Sequence, residues 1–197
     1  MVRTASDMLP LGTAAPDFCL KDAATGLDVA LADLPPEQPL LVMFVCNHCP
    51  YVVHVRDELG RIADDYDGRL GVVAINSNSI ETHPEDGPLQ MRELAQQLGW
   101  RFPFLFDATQ DVAKAYHAAC TPDFFLFDAR RDGQRSLRYR GQLDGSRPGN
   151  GLPVTGKDLR AAIDSVLAGH PVAGEQRPSL GCNIKWAPGN EPDYFSH

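Results

Sequence analysis

The chain has 197 residues, 43% hydrophobic and 22% charged, with 18 basic against 26 acidic residues and a net charge of −8. That is enough for one domain with a full core, and an acidic balance without a Lys/Arg cluster leaves no electrostatic footprint for nucleic acid. No apolar run approaches the ~18 residues of a membrane span, and the N-terminal stretch lacks a signal-peptide core, so the expected location is the cytoplasm.

In chain order, residues 1–14 read as a loose lead-in to a domain over 15–169, with a C-terminal extension over 170–197. Ala15 to Leu20 is a first short strand, Ala23-Ala24-Thr25-Gly26 a turn, and Leu27 to Ala30 the returning strand. Leu31 to Leu34 makes one helical turn before Pro35-Pro36. Leu40 to Val45 is unbroken apolar sequence after Pro39, the pattern of a strand buried on both faces. Pro50 opens a helix whose Val52, Val55, Leu59 and Ile62 recur at helical spacing. Arg69 to Asn76 is a second buried strand, completing a βαβ unit, and Asn76 to Ser79 lies at its C-terminal end, where binding groups collect in open α/β sheets. Glu81 to Gly87 is a polar loop. A helix runs from Pro88 to its stop at Gly99. Phe102 to Phe106 contains Pro103, which argues for an edge or irregular strand. Val112 to Ala119 is a short helix, Asp123 to Phe127 a third core strand, and Ser136 to Arg140 its hairpin partner. Gly141 to Pro153 is a long loop, whose Asp144 and Arg147 read as solvated rather than as lining a binding face. Thr155 caps a last helix ended by Gly169. The tail has no periodicity, yet its Cys182, Ile184, Trp186, Tyr194 and Phe195 predict that it packs back over the domain.

Five cysteines, odd in number and scattered, do not form a secreted disulfide pattern. Cys46 and Cys49 stand out. Cys49 precedes Pro50 and takes the N-cap position, where backbone N–H groups and the helix dipole favour a thiolate over a thiol. Cys46 lies three residues earlier on the same turn. Strand, Cys-x-x-Cys and helix in that order point to redox chemistry in a cytosolic chain. His48 can stabilise a neighbouring thiolate or sit solvated in the turn. The same side chains allow a metal reading: Cys46, His48 and Cys49, with Cys120 or Cys182, offer soft ligands for Zn(II) or Cu(I). Cys19 reads as a core residue.

Three stretches in this order resemble the thioredoxin superfamily, and within it the peroxiredoxin-like branch. Ala15-Pro16-Asp17-Phe18 resembles the entry strand, Leu41 to Pro50 the active-site strand, turn and helix, and Thr121 to Asp128 the segment in which thioredoxins place a cis-proline beside the redox cysteines. The resemblance implies an α/β thioredoxin-like fold: a central mixed β-sheet flanked by helices, with an N-terminal β extension and a packed C-terminal tail. It implies a thiol-disulfide oxidoreductase, without organic cofactor, acting on a protein disulfide or a hydroperoxide and drawing electrons from an external thiol reductant. Cys49 is the expected nucleophile, with Cys46, Cys120 or Cys182 as the resolving thiol. Pro122 is expected to be cis and to hold exposed backbone that pairs with substrate. Two departures stand beside the resemblance. Counted from Phe44, the thioredoxin pattern puts its first cysteine on Cys49 and its second on Val52. No Pro-x-x-x-Thr/Ser run of the peroxiredoxin kind precedes Cys46 or Cys49. A metal-binding module without turnover is the alternative function.

Overall fold

The computed structural model describes residues 3–195. Among these, the strands form two sheets. The larger is mixed and holds, in spatial order, β3 (Asp28–Ala30), β2 (Cys19–Asp22), β6 (Phe104–Phe106), β5 (Gly71–Asn76), β4 (Leu40–Phe44), β8 (Asp123–Phe127) and β9 (Leu137–Gly141). The smaller places β10 (Leu180–Asn183) between β1 (Arg3–Ala5) and β7 (Cys120–Thr121). Strand β4 pairs parallel with β5 and antiparallel with β8.

All five residues of β4 are buried, and alternation sends them to two cores. Leu41 and Met43 face one core with Val45, and Leu40, Val42 and Phe44 face the other. The first core is covered by α1 (Pro50–Asp65), α2 (Pro88–Leu98) and α4 (Lys157–Leu167), through Val52, Val55, Leu59 and Ile62, Met91 and Ala95, and Leu159, Ala162 and Ile163. The second takes Val112 and Ala113 of α3 (Asp111–Ala115), Tyr116, and Ile184 and Trp186 of the tail. The α1 register is therefore the one its apolar spacing predicts. Glu58, buried on α1, binds Arg160 of α4 at 2.7 Å and ties the two helices together.

Several expectations are corrected. The lead-in is structured: β1 pairs with β10, and Ala14 bridges to Ser136. A three-residue Arg-Thr-Ala strand has no periodicity of its own, and its pairing comes from the far end of the chain. Strand β6 is not an edge; it lies between β2 and β5. Pro103 stands just before it, contributing only its carbonyl, which accepts the Ala74 N–H at 2.9 Å, so no missing donor weakens the ladder. Cys19 is exposed, because Phe18 and Leu20 take the core-facing phase of that strand. Gly156, with φ 64°, is the N-cap of α4, and Thr155 precedes it. Gly99, at φ 65°, ends α2 in the left-handed conformation that glycine adopts without strain. Asp144 is buried rather than solvated, accepting the Ser146, Thr155 and Gly156 N–H groups at 2.8, 2.6 and 2.7 Å, and Arg147 donates to Gln142 Oε1 at 2.6 Å.

A candidate thiol active site

The site begins where β4 runs out. Val45 still donates to Ile75 O at 2.9 Å; Cys46, Asn47 and His48 then turn the chain. Cys49 caps α1 in an extended conformation, with Pro50 as the first helical residue. The turn is held from outside by Asp86. This fully buried carboxylate accepts the Asn47 N–H at 2.8 Å and the His48 N–H at 3.4 Å on one oxygen. Its other oxygen accepts Asn78 Nδ2 at 2.7 Å and lies 2.6 Å from His48 Nδ1. Asn76, at the end of β5, donates to Asp86 O at 2.6 Å. The β5 exit thus supports the site through Asn76 and Asn78. Asp86 is not singled out by the sequence, because Glu81 to Gly87 reads as a polar loop; the available signal is an acidic residue just ahead of the Gly87-Pro88 helix start. His48 is partly exposed and stacks on His83 at 5.0 Å.

Cys49 is fully buried, its sulfur 3.2 Å from Thr121 O, and Cys46 Sγ lies 3.4 Å from Thr121 Oγ1. The Thr121–Pro122 peptide bond is cis. The adjoining backbone is not exposed as expected: β10 pairs antiparallel with β7, setting Cys182 opposite Thr121. The approach is close enough that a Cβ on Gly181 would stand 2.0 Å from Thr121 O. Cys46, Cys49 and Cys182 all lie in the first core.

Hydrogen bonds from the Cys182 thiol, and then from Cys46, draw the Cys49 thiol well below the ordinary cysteine range; Thr121 and the Val52 N–H at the helix start add to this, against the opposing effect of burial. The donors move the other way. Cys46 is raised by its bond to Cys49, by burial and by the Asp86 charge; Cys182 is raised by its bond to Cys49 and by burial, while Lys185 lowers it. The arrangement therefore favours ionisation at Cys49 over its two neighbouring thiols.

Cys120 makes a different hydrogen-bond contact: its thiol is 3.7 Å from Pro122 O, and burial, then Asp123 and more weakly Cys49, push it upward. Trp186 packs in the second core, away from the three sulfurs. The structure thus brings Cys46, His48, Cys49 and Pro122 together with Cys182, with Cys120 beside them on β7 and its thiol turned to Pro122 O. For a metal, among the described residues, Cys46, His48 and Asp86 offer donor atoms within 4.8 Å of one another, as do His48, His83 and Glu85. The Asp86 oxygens are already engaged by the turn, and parallel rings at 15° do not aim both imidazole lone pairs at one ion.

Sheet order, a buried β4 strand and a helix capped by a cysteine define a thioredoxin-like redoxin fold. The chain belongs to the AhpC/TSA family, whose model matches residues 11–132. It is 51% identical to an uncharacterized conserved protein from Geobacillus kaustophilus, with a TM-score of 0.91 over 96% of this chain and 98% of that one. It is also 51% identical to a hypothetical protein from Sinorhizobium meliloti, with a TM-score of 0.89 over 94% and 100%. A thiol:disulfide interchange protein of the thioredoxin family from Chlorobium tepidum shares the fold at 16% identity, with a TM-score of 0.58 over 81% and 99%. No curated protein matches the chain. Family and fold together support a thiol oxidoreductase.

Proposed function

We propose that the chain is a cytoplasmic thiol-disulfide oxidoreductase in which Cys49 is the nucleophile. The observation that carries this reading is the place of Cys49 at the N-cap of α1, directly before Pro50 and three residues after Cys46, where the helix N-terminus favours the anionic form of the sulfur. The thiolate attacks one sulfur of a substrate disulfide, forming a mixed disulfide and expelling the other sulfur as a thiolate. A second protein thiol then attacks Cys49 Sγ and releases the remaining substrate thiol, and an external dithiol reductant restores the pair. With a hydroperoxide, the thiolate takes the terminal oxygen to give a sulfenic acid and an alcohol, and the second thiol expels water. Low-molecular-weight oxidants fit this site better than an extended polypeptide, because β10 already fills the Thr121 edge.

Asp86 and His48 serve as positioning residues, holding the Cys46–Cys49 turn. The test is the reduction of oxidised glutathione and of hydrogen peroxide with dithiothreitol as donor. Cys49→Ser is expected to abolish both activities; full activity in that variant overturns the proposal. A second reading, a Zn(II) or Cu(I) module, draws on the Cys46, His48 and Asp86 donor set. Stoichiometric metal in the purified protein, with Cys46 protected from alkylation until a chelator is added, would favour it.

A further inference from the structure

Cys49 has two neighbouring thiols, and they are held very differently. Cys46 belongs to the same turn, whose N–H groups are fixed by Asp86. Cys182 comes from the far end of the chain on a strand gripped from both sides: Arg3 pairs with it from β1, and Thr121 from β7. Thr121 is the residue whose carbonyl lies 3.2 Å from Cys49 Sγ. Only glycine at 181 lets β10 approach that carbonyl so closely. The tail beyond is fastened as well: Lys185 N–H donates to Asn78 Oδ1 at 2.9 Å, Ser79 N–H donates to Lys185 O at 2.8 Å, and Ile184 N–H donates to Ala119 O at 3.2 Å.

We infer that Cys182 is the thiol that resolves Cys49, presented by β10 as a built-in stand-in for a substrate strand. This rests on the Cys49 nucleophile proposed above. The cycle balances as follows. Cys49–S⁻ attacks oxidised glutathione, giving the Cys49–glutathione mixed disulfide and one glutathione thiolate. Cys182, losing its proton to solvent or to that thiolate, attacks Cys49 Sγ; the Cys49–Cys182 bond forms as the second glutathione leaves. The substrate gains two electrons and the protein dithiol loses two, which an external dithiol returns.

Beside the strand pairing that presents Cys182, the nearest fixed charges also lean toward it over Cys46. Once Cys49 is in a mixed disulfide it carries no charge, so the largest influence opposing ionisation of either neighbour disappears. Burial still opposes both. Of the fixed charges that remain, Asp86 opposes a thiolate at Cys46 and Lys185 favours one at Cys182, while Thr121 still hydrogen-bonds Cys46 and Cys120 weakly opposes Cys182. The Lys185 ammonium is fixed near β10 by Asn183 O at 2.8 Å.

The experiment treats the full-length reduced protein with one equivalent of oxidised glutathione, blocks remaining thiols, digests, and identifies linked peptides by mass. The expected product joins the Cys49 peptide to the Cys182 peptide, and it still forms in Cys46→Ser. In Cys182→Ser the Cys49–glutathione adduct accumulates and turnover falls at least about tenfold. An internal Cys46–Cys49 link as the only product, or wild-type turnover in Cys182→Ser without adduct, overturns the inference while leaving the Cys49 nucleophile standing. A Cys49 that takes up no glutathione in the wild-type protein removes both.

Discussion

Gly181→Ala is a sharp test of the way the tail is bound. The added methyl would sit 2.0 Å from Thr121 O, about 1.4 Å short of ordinary contact, and 2.6 Å from the Thr121 carbonyl carbon. Both obstacles are backbone, so neither can turn aside, and β10 has to retreat from β7. Retreat breaks the Cys182–Thr121 and Asn183–Cys120 pairings, and overpacking of this kind costs about 1–3 kcal/mol. Adding one or two backbone hydrogen bonds at about 1 kcal/mol each gives a loss of roughly 2–5 kcal/mol. The same retreat withdraws the Cys182 donor from Cys49, so the Cys49 thiol becomes less acidic. Urea denaturation reads the first effect, and thiolate absorbance at 240 nm against pH reads the second. A variant within about 0.5 kcal/mol of wild type, with an unchanged Cys49 titration, would refute the close β7–β10 approach as the element that positions Cys182.

Asp86→Asn keeps the shape of the turn support but removes its charge. One charge-assisted bond is lost outright and others weaken, so stability should fall by about 2–3 kcal/mol, equivalent to roughly 4–12 °C in Tm for a chain of this size. Cys46 should ionise more readily once the Asp86 charge that opposes it is gone; unchanged Cys46 reactivity would count against that coupling. Asp123 supplies a pH signature. Burial raises its carboxyl to about 7, against the hydrogen bond from Ser6. A carboxyl raised in the native state favours folding fully below its unfolded value, about 3.9, and that advantage is lost as pH rises through 7. Wild-type stability should therefore carry a declining contribution between about pH 4 and 7, which Asp123→Asn removes; equal slopes in the two proteins, by urea denaturation across that range, would exclude it.

The elements that show a period were legible in the sequence. The β4 run, the Val52-Val55-Leu59-Ile62 spacing of α1 and the Asp123–Phe127 strand each announce their own burial, and Pro50 marks the helix start that puts Cys49 at the cap. What the sequence does not display is pairing between distant short segments. Arg3–Ala5 and Leu180–Asn183 are each three or four residues without alternation, and each becomes a strand through the other and through β7. For the same reason the sequence offers Cys182 only as one of three candidate resolving thiols: its approach to Cys49 is set by Gly181 and the Thr121 carbonyl, which no local pattern encodes. Asp86 was hidden by composition, since a Pro-Glu-Asp-Gly stretch looks solvated until Asn76 and Asn78 are seen to enclose it.

The central claim is that Cys49 carries the reactive thiolate. The most direct measurement is an acid titration of thiolate absorbance at 240 nm, taken as the difference between the reduced wild-type protein and Cys49→Ser. The account predicts that Cys49 remains ionised through neutrality and well into the acid range, far below the ordinary cysteine value of about 8.5. A difference signal that appears only near or above that ordinary value would contradict it.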